Sequence, residues 1–338
     1  MSIVFKREDS HYSSKYTAPI TKSDIQCSNG YLNLIGRSFL SIKSHYTVVI
    51  ENFLKDKANW NDVLNSIYDS FYYFVDHQLQ LENLRLGKRQ ILPKNEILSG
   101  TYVSAYDLIN KTNIILANVQ TMQADSSLTL NDVELIVAQA HCIRAFTYYN
   151  LAMLWGNVII KKEPDDDDDG NSYNSLPQSH QIDVYNFALS EICEALDKLP
   201  KTYNNQYNDS VKFTKDAGLI LKAEIELTLG KKKDALNTLS SVKNNLEFCY
   251  VENPNKNRLA IYNIEKIALY KKEAIDNYDD IVQDWFDLQD CRYGYWATLK
   301  RLGKAREVTG CLEYELLMPF PSVEFKLNHQ LQQNPGYY

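Results

Sequence analysis

The chain is poor in helix breakers, with 12 glycines and 9 prolines in 338 residues. That scarcity disfavours a many-turned all-β fold and favours long helices. No apolar run approaches the ~18–20 residues needed to cross a bilayer as a helix. Positive charge is not in excess: the formal net charge is −7, which argues against a nucleic-acid binder, because neutralising phosphates takes a basic surface. Lys231, Lys232 and Lys233 flank a turn and read as solvated. The six cysteines (Cys27, Cys142, Cys193, Cys249, Cys291, Cys311) include no C-x-x-C pair, so zinc and thioredoxin-type sites lack support. G-x-S-x-G, H-E-x-x-H and G-x-x-x-x-G-K are also missing. Residues 1–10 (MSIVFKREDS) hold no apolar signal core, and residues 21–26 before Cys27 (TKSDIQ) are too polar for a lipoprotein cleavage site. As written, the chain either stays in the cytoplasm or lacks its targeting segment.

What is present is an ordinary globular share of hydrophobic residues, 44%, and 24 tyrosines. Residues 131–155 read as a helix, with Asn131 and Glu134 as a capping box and Gly156 as the stop. Ile136, Ala140, Ile143, Thr147, Leu151 and Leu154 recur at helical spacing. Val137, Arg144, Tyr148 and Trp155 widen that face beyond what one packing partner would need. Further helices are expected over 100–119, 183–199 and 215–229, the last capped by Thr214 and ended by Gly230. Ala235, Leu236, Leu239 and Val242 restart a helix at once, the shape of a helical-hairpin repeat. The chain thus reads as one mainly α domain: an extended arm over 1–30, a helical scaffold over 31–245, and an irregular lobe with a C-terminal strap over 246–338. Pro319, Pro321, Pro335 and Gly336 forbid a continuous helix in that strap.

Several local signals are candidates for chemistry. Residues 165–169 are five consecutive aspartates between Pro164 and Gly170. Asp165, Asp167 and Asp169 are a weak Ca²⁺ candidate, since that ion takes oxygen ligands; adjacent acids repel, and a solvated loop is the ordinary reading. No other cofactor is expected. Residues 276–290 hold six aspartates around Trp285 and Phe286; on a helix Asp276, Asp280, Asp284 and Asp287 would share one face. The acids of this segment, with Asp284 and Asp287 as the test positions, give a hydrolase reading against the commoner one of an acidic helix face. Aromatic clusters suit sugar or ring stacking with polar groups beside them. Tyr68, Phe71 and Val75 lie on one stripe and are expected in the core. Tyr72, Tyr73, Asp76 and His77 fall off it and are ligand-binding candidates, together with Tyr102 and Trp296.

The segment 143–158 (IRAFTYYNLAMLWGNV) resembles the R-A-F-x-Y-x-x-L helix of SusD/RagB-like proteins. Residues 106–116 (YDLINKTNIIL) and 213–223 (FTKDAGLILKA) are similar to two further helices of that family. So is the stretch from Val184 and Tyr185 to Leu199 and Pro200. The ending 316–337 (LLMPFPSVEFKLNHQLQQNPGY) resembles the family's closing motif, with Glu324, Asn328, Leu331, Gln333, Asn334, Pro335 and Gly336 matching in order. Asn157 and Ile159 depart from the usual Asp and Pro.

The resemblance implies a scaffold of tetratricopeptide-repeat-like helical pairs with an irregular, loop-rich lobe. It implies a non-catalytic, lipid-anchored Bacteroidetes protein on the outer face of the outer membrane, its anchor not recognisable in this chain. Such a protein binds a glycan or oligosaccharide and delivers it to a TonB-dependent, SusC-like transporter. The competing readings are a helical-repeat scaffold that binds a peptide or protein, and the hydrolase above.

Overall fold

The computed structural model describes residues 57–165, 176–203, 212–242, 250–252, 258–260, 262, 264–275 and 293–337. The expected arm over 1–30 lies outside them. Helix α1 (Lys57–Leu86) buries Trp60, Leu64, Ile67, Phe71, Phe74, Val75 and Leu81. Those positions recur every three to four residues and so share one face. Asn95 opens α2 (Glu96–Ala117), its side chain accepting from the Leu98 N–H at 3.0 Å. The face of α2 carrying Leu98, Tyr102, Ala105 and Ile109 is buried, and α2 packs against α1.

A short α3 (Val119–Ala124) leads to α4 (Leu130–Trp155), the centre of the fold. Its cap is Thr129, not Asn131. The Thr129 hydroxyl accepts from the Asp132 N–H at 3.2 Å while the Asp132 carboxylate accepts from the Thr129 N–H at 2.9 Å. Asn131 lies inside the helix and so cannot cap it, and Glu134 pairs instead with Lys198 at 2.5 Å. Helix α4 contacts α1 and α2. Nearly every residue from Ile136 to Trp155 is buried, as the broad apolar face implied. Each fully buried Leu, Ile or Phe is worth about 1.5–3 kcal/mol relative to exposure.

Three further helices extend the scaffold. Helix α5 (Gln181–Ala195) packs along α4, and α6 (Lys215–Thr228) packs beside α5. Thr214 caps α6 through the Ala217 N–H at 3.2 Å. Gly230, at φ +71°, turns the chain into α7 (Lys232–Ser240). Cys193 is exposed on α5, whereas Cys142 is buried in α4.

Strands β1 (Tyr250–Glu252) and β2 (Arg258–Ala260) form an antiparallel ribbon with Val251 opposite Leu259. They precede α8 (Ile264–Ala274). Short helices α9 (Tyr295–Arg301), α10 (Ala305–Thr309) and α11 (Glu324–Leu327) follow. Gly303 and Gly310, at φ +68° and +71°, interrupt this region.

The strap closes over the C-terminal end of α4, whose last carbonyls have no partner within the helix. The Met318 N–H donates to Leu154 O at 2.7 Å, and the Trp155 indole donates to Pro319 O at 2.8 Å. Gly156, at φ +76°, lies so close under Leu317 that a Cβ there would meet its Cδ1 at 2.9 Å.

Candidate ligand-binding surface

Tyr72, Tyr73, Asp76 and His77 occupy one outward strip of α1, as positions i, i+1, i+4 and i+5 must. The Tyr72 and Tyr73 rings meet edge to face at 5.9 Å. Tyr73 is 39% exposed, while Tyr72 is half-buried against the core. His77 Nδ1 lies 2.7 Å from Tyr73 O, which holds the imidazole down on the helix. The ring also rests on Gly100 of α2, where a Cβ would come within 3.1 Å of it. Asp76 accepts from the Gln80 amide at 2.8 Å. The strip therefore offers an exposed phenol, an imidazole and a carboxylate on a rigid helix. That set suits stacking and hydrogen bonding to a neutral polyhydroxylated ligand.

Two candidates do not share this setting. Tyr102 is 1% exposed. Its ring lies 5.2 Å from Trp155, 5.8 Å from Phe320 and 4.9 Å from Tyr106, so it packs between α4 and the strap. Trp296 is fully buried, with Tyr293, Tyr295 and Leu299 buried around it. Neither ring presents a face to a ligand: Tyr102 sits on the packing side of α2, and Tyr295 to Leu299 of α9 are all buried.

Of the acidic run, the Asp165 carboxylate pairs with the Lys161 ammonium. Asp167 and Asp169 lie outside the described residues, as do Asp284 and Asp287. Among the described residues, no group of three His, Cys, Asp or Glu side chains could hold a metal ion.

Two polar networks had no clear mark in the sequence. In the first, Glu191 Oε2 accepts from Arg144 Nε at 2.7 Å and faces His141 Nδ1 at 2.9 Å. Burial would raise the Glu191 carboxyl, but these hydrogen bonds hold it below its usual range. Arg144 also donates to Asn113 Oδ1 at 2.8 Å, and its guanidinium lies 5.6 Å from the centre of the Phe187 ring. Asn113 donates in turn to Lys161 O and Glu163 O, at 3.2 and 2.9 Å. The Asp165 N–H donates to Asn110 at 2.7 Å. The Arg and Asn of the two family-like helices thus hold the main chain that leads into the acidic run. Their polarity within apolar stripes was the available signal.

The second network is enclosed. Gln78 donates at 2.8 Å both to Glu82 Oε1 and to Asn150 Oδ1, which also accepts from Tyr293 at 2.8 Å. Arg301 grips Glu273 with two hydrogen bonds, at 2.6 and 3.0 Å, and donates to Tyr149 at 3.1 Å. Lys266, fully buried, lies 4.8 Å from the centre of the Tyr293 ring. Burial pushes the Glu82 carboxyl up to about 7. This cluster ties α1, α4, α8 and α9 together and exposes nothing to a ligand.

A family model described as "Starch-binding associating with outer membrane", for SusD-like proteins, matches residues 37–227. SusD-like protein P2 of Formosa agariphila is 27% identical over 154 residues, which is 45% of this chain but 28% of that protein. The chain therefore matches little more than a quarter of that relative's length. Among solved structures, a laminarin binding SusD-like protein superposes with a TM-score of 0.70 at 13% identity, over 84% of this chain and 100% of the other. A SusD superfamily protein from Bacteroides vulgatus gives 0.65 at 12% identity, over 84% and 100%. One from Bacteroides thetaiotaomicron gives 0.61 at 14%, over 84% and 99%. At such identities the superpositions speak for the fold alone. The family model spans more than half of the sequence, and by that match the chain belongs to the SusD-like family.

Proposed function

We propose that this protein is a non-catalytic binder that captures a glycan outside the outer membrane and passes it to a TonB-dependent, SusC-like transporter. The observation that carries this reading is the match of residues 37–227 to a family described as starch-binding and associated with the outer membrane. Superposition on a laminarin binding protein supports it. So does the exposed Tyr73 beside His77 and Asp76, a stacking ring next to groups that hydrogen-bond hydroxyls. Capture is non-covalent and needs no cofactor. Affinities on the order of micromolar to millimolar suit release to a transporter. A lipid anchor would hold the protein at the surface, as the resemblance implies.

Affinity gel electrophoresis across starch, laminarin and other polysaccharides tests the reading. Retardation by at least one glycan is expected, and free migration through the whole panel would count against it. Binding of free peptides with no glycan retained would favour a helical-repeat scaffold for a peptide or protein partner. Sustained turnover of any glycan would restore the hydrolase reading.

A further inference from the structure

Two segments far apart in sequence meet at one edge of the scaffold, where the Ser322 N–H donates to Pro93 O at 2.9 Å. The first, residues 86–96, joins α1 to α2; the second, residues 321–332, carries α11. Both are ordered by their own backbone hydrogen bonds, among them Arg89 N–H to Leu84 O at 3.0 Å and Asn328 N–H to Glu324 O at 2.8 Å. Each is anchored inward, by Ile91 in one and Glu324 in the other, which are 0% and 5% exposed. Each also turns aliphatic side chains outward: Leu92 is 53% exposed, Val323 50% and Leu327 50%. Aliphatics gathered at such exposure mark a contact surface more often than singly scattered ones do.

The charge around them is one-sided. Lys88, Arg89, Lys94 and Lys326 are exposed, against Glu96 as the exposed acid of the two segments. The other acid, Glu324, is turned into the protein. This basic, aliphatic patch stands out on a chain whose net charge is −7. We infer that residues 88–94 and 323–327 form a surface that docks on an anionic lipid face, the aliphatics entering the headgroup layer and the cations pairing with lipid phosphates. Such surfaces combine apolar insertion with charge attraction, and each cation near an anionic membrane strengthens binding about five-fold. Docking there would fix how the protein is oriented at the membrane, independently of what it binds elsewhere.

Co-sedimentation of the full chain with vesicles tests this, using phosphatidylcholine alone and phosphatidylcholine with phosphatidylglycerol. Sedimentation is expected with the anionic vesicles only, and it should fall steeply with added salt as charges are screened. The variant K88E/R89E/K94E/K326E should lose about a hundred-fold or more in partitioning. The variant L92S/V323S/L327S should lose about ten-fold. Both should keep the parent's unfolding midpoint and its glycan retardation, which separates this surface from the glycan site. Should a variant misfold, the lipid and salt dependence of the parent still decides. Equal sedimentation with neutral and anionic vesicles, or none with either, would overturn the inference. So would parent-like binding by the folded charge-reversed variant.

Discussion

Asn334 donates from its side-chain amide to the main-chain oxygen of Trp155 at 2.9 Å, across 179 positions of sequence, and the same nitrogen reaches Met318 O at 2.7 Å. One side chain thus satisfies a carbonyl at the end of α4 and a carbonyl of the strap. Asn334→Ala leaves both buried acceptors unpaired, at about 1–3 kcal/mol each. Chemical denaturation should show a loss of about 2–6 kcal/mol. A loss below about 0.5 kcal/mol, the level of an ordinary surface change, would show that the strap does not depend on this bond.

Gly336 sits at φ +88°, and a Cβ there would fall 2.4 Å from the Tyr314 ring. Gly336→Ala therefore combines left-handed strain with a clash. Gly230→Ala, at φ +71° with nothing within 4 Å, carries the strain alone. The second should cost about 1–2 kcal/mol, and the first clearly more. Equal losses in thermal unfolding would refute the close approach of Tyr314.

Glu82 is expected to make stability fall as pH rises. Its folded-state carboxyl titrates near 7, above its ordinary 4.5. The folded state therefore holds a proton that the unfolded state has released between those values. Stability is greatest below about 4.5 and declines through 7, by up to about 3 kcal/mol from this group. Glu82→Gln should flatten the profile between pH 5 and 8 while leaving the fold intact by circular dichroism. An unchanged slope would remove Glu82 as its source.

Tyr73→Ala should weaken glycan retention by about three- to ten-fold through the lost stacking face, with little change in unfolding midpoint because the ring is exposed. Tyr102→Ala should do the reverse, since that ring is core: a stability loss of about 3–5 kcal/mol. A Tyr73→Ala variant that binds every retained glycan like the parent would clear α1 as the binding strip.

Calcium titration calorimetry on dialysed protein should give no heat, because adjacent acids repel and such a run is ordinarily a solvated loop. Saturable heat would instead assign a cation to the acidic run, and loss of that heat in Asp167→Asn would place it.

Much of the scaffold was legible because helical periodicity is local. The α4 stripe, the Thr214 cap and the Gly230 turn each depend on residues within a few positions of one another. The start of α4 was misread by two residues because Thr129, Asn131, Asp132 and Glu134 all have capping chemistry, and two overlapping boxes, Thr129 with Asp132 and Asn131 with Glu134, fit the same local pattern. The strap was recognisable as a family ending, yet its role as the partner of α4's last carbonyls was not, since those bonds join distant residues.

The binding surface shows the same division. Tyr73, Tyr102 and Trp296 were alike as aromatic candidates, but only Tyr73 is exposed, because burial depends on which helix face meets a neighbour. The sequence by itself determined a helical SusD-like scaffold, through spacing, caps and motif order. Only the tertiary structure decided which rings face solvent, which carboxylates lie buried beside cations, and where Pro93 meets Ser322. Those properties arise from contacts between segments far apart in the chain, and no local pattern encodes them.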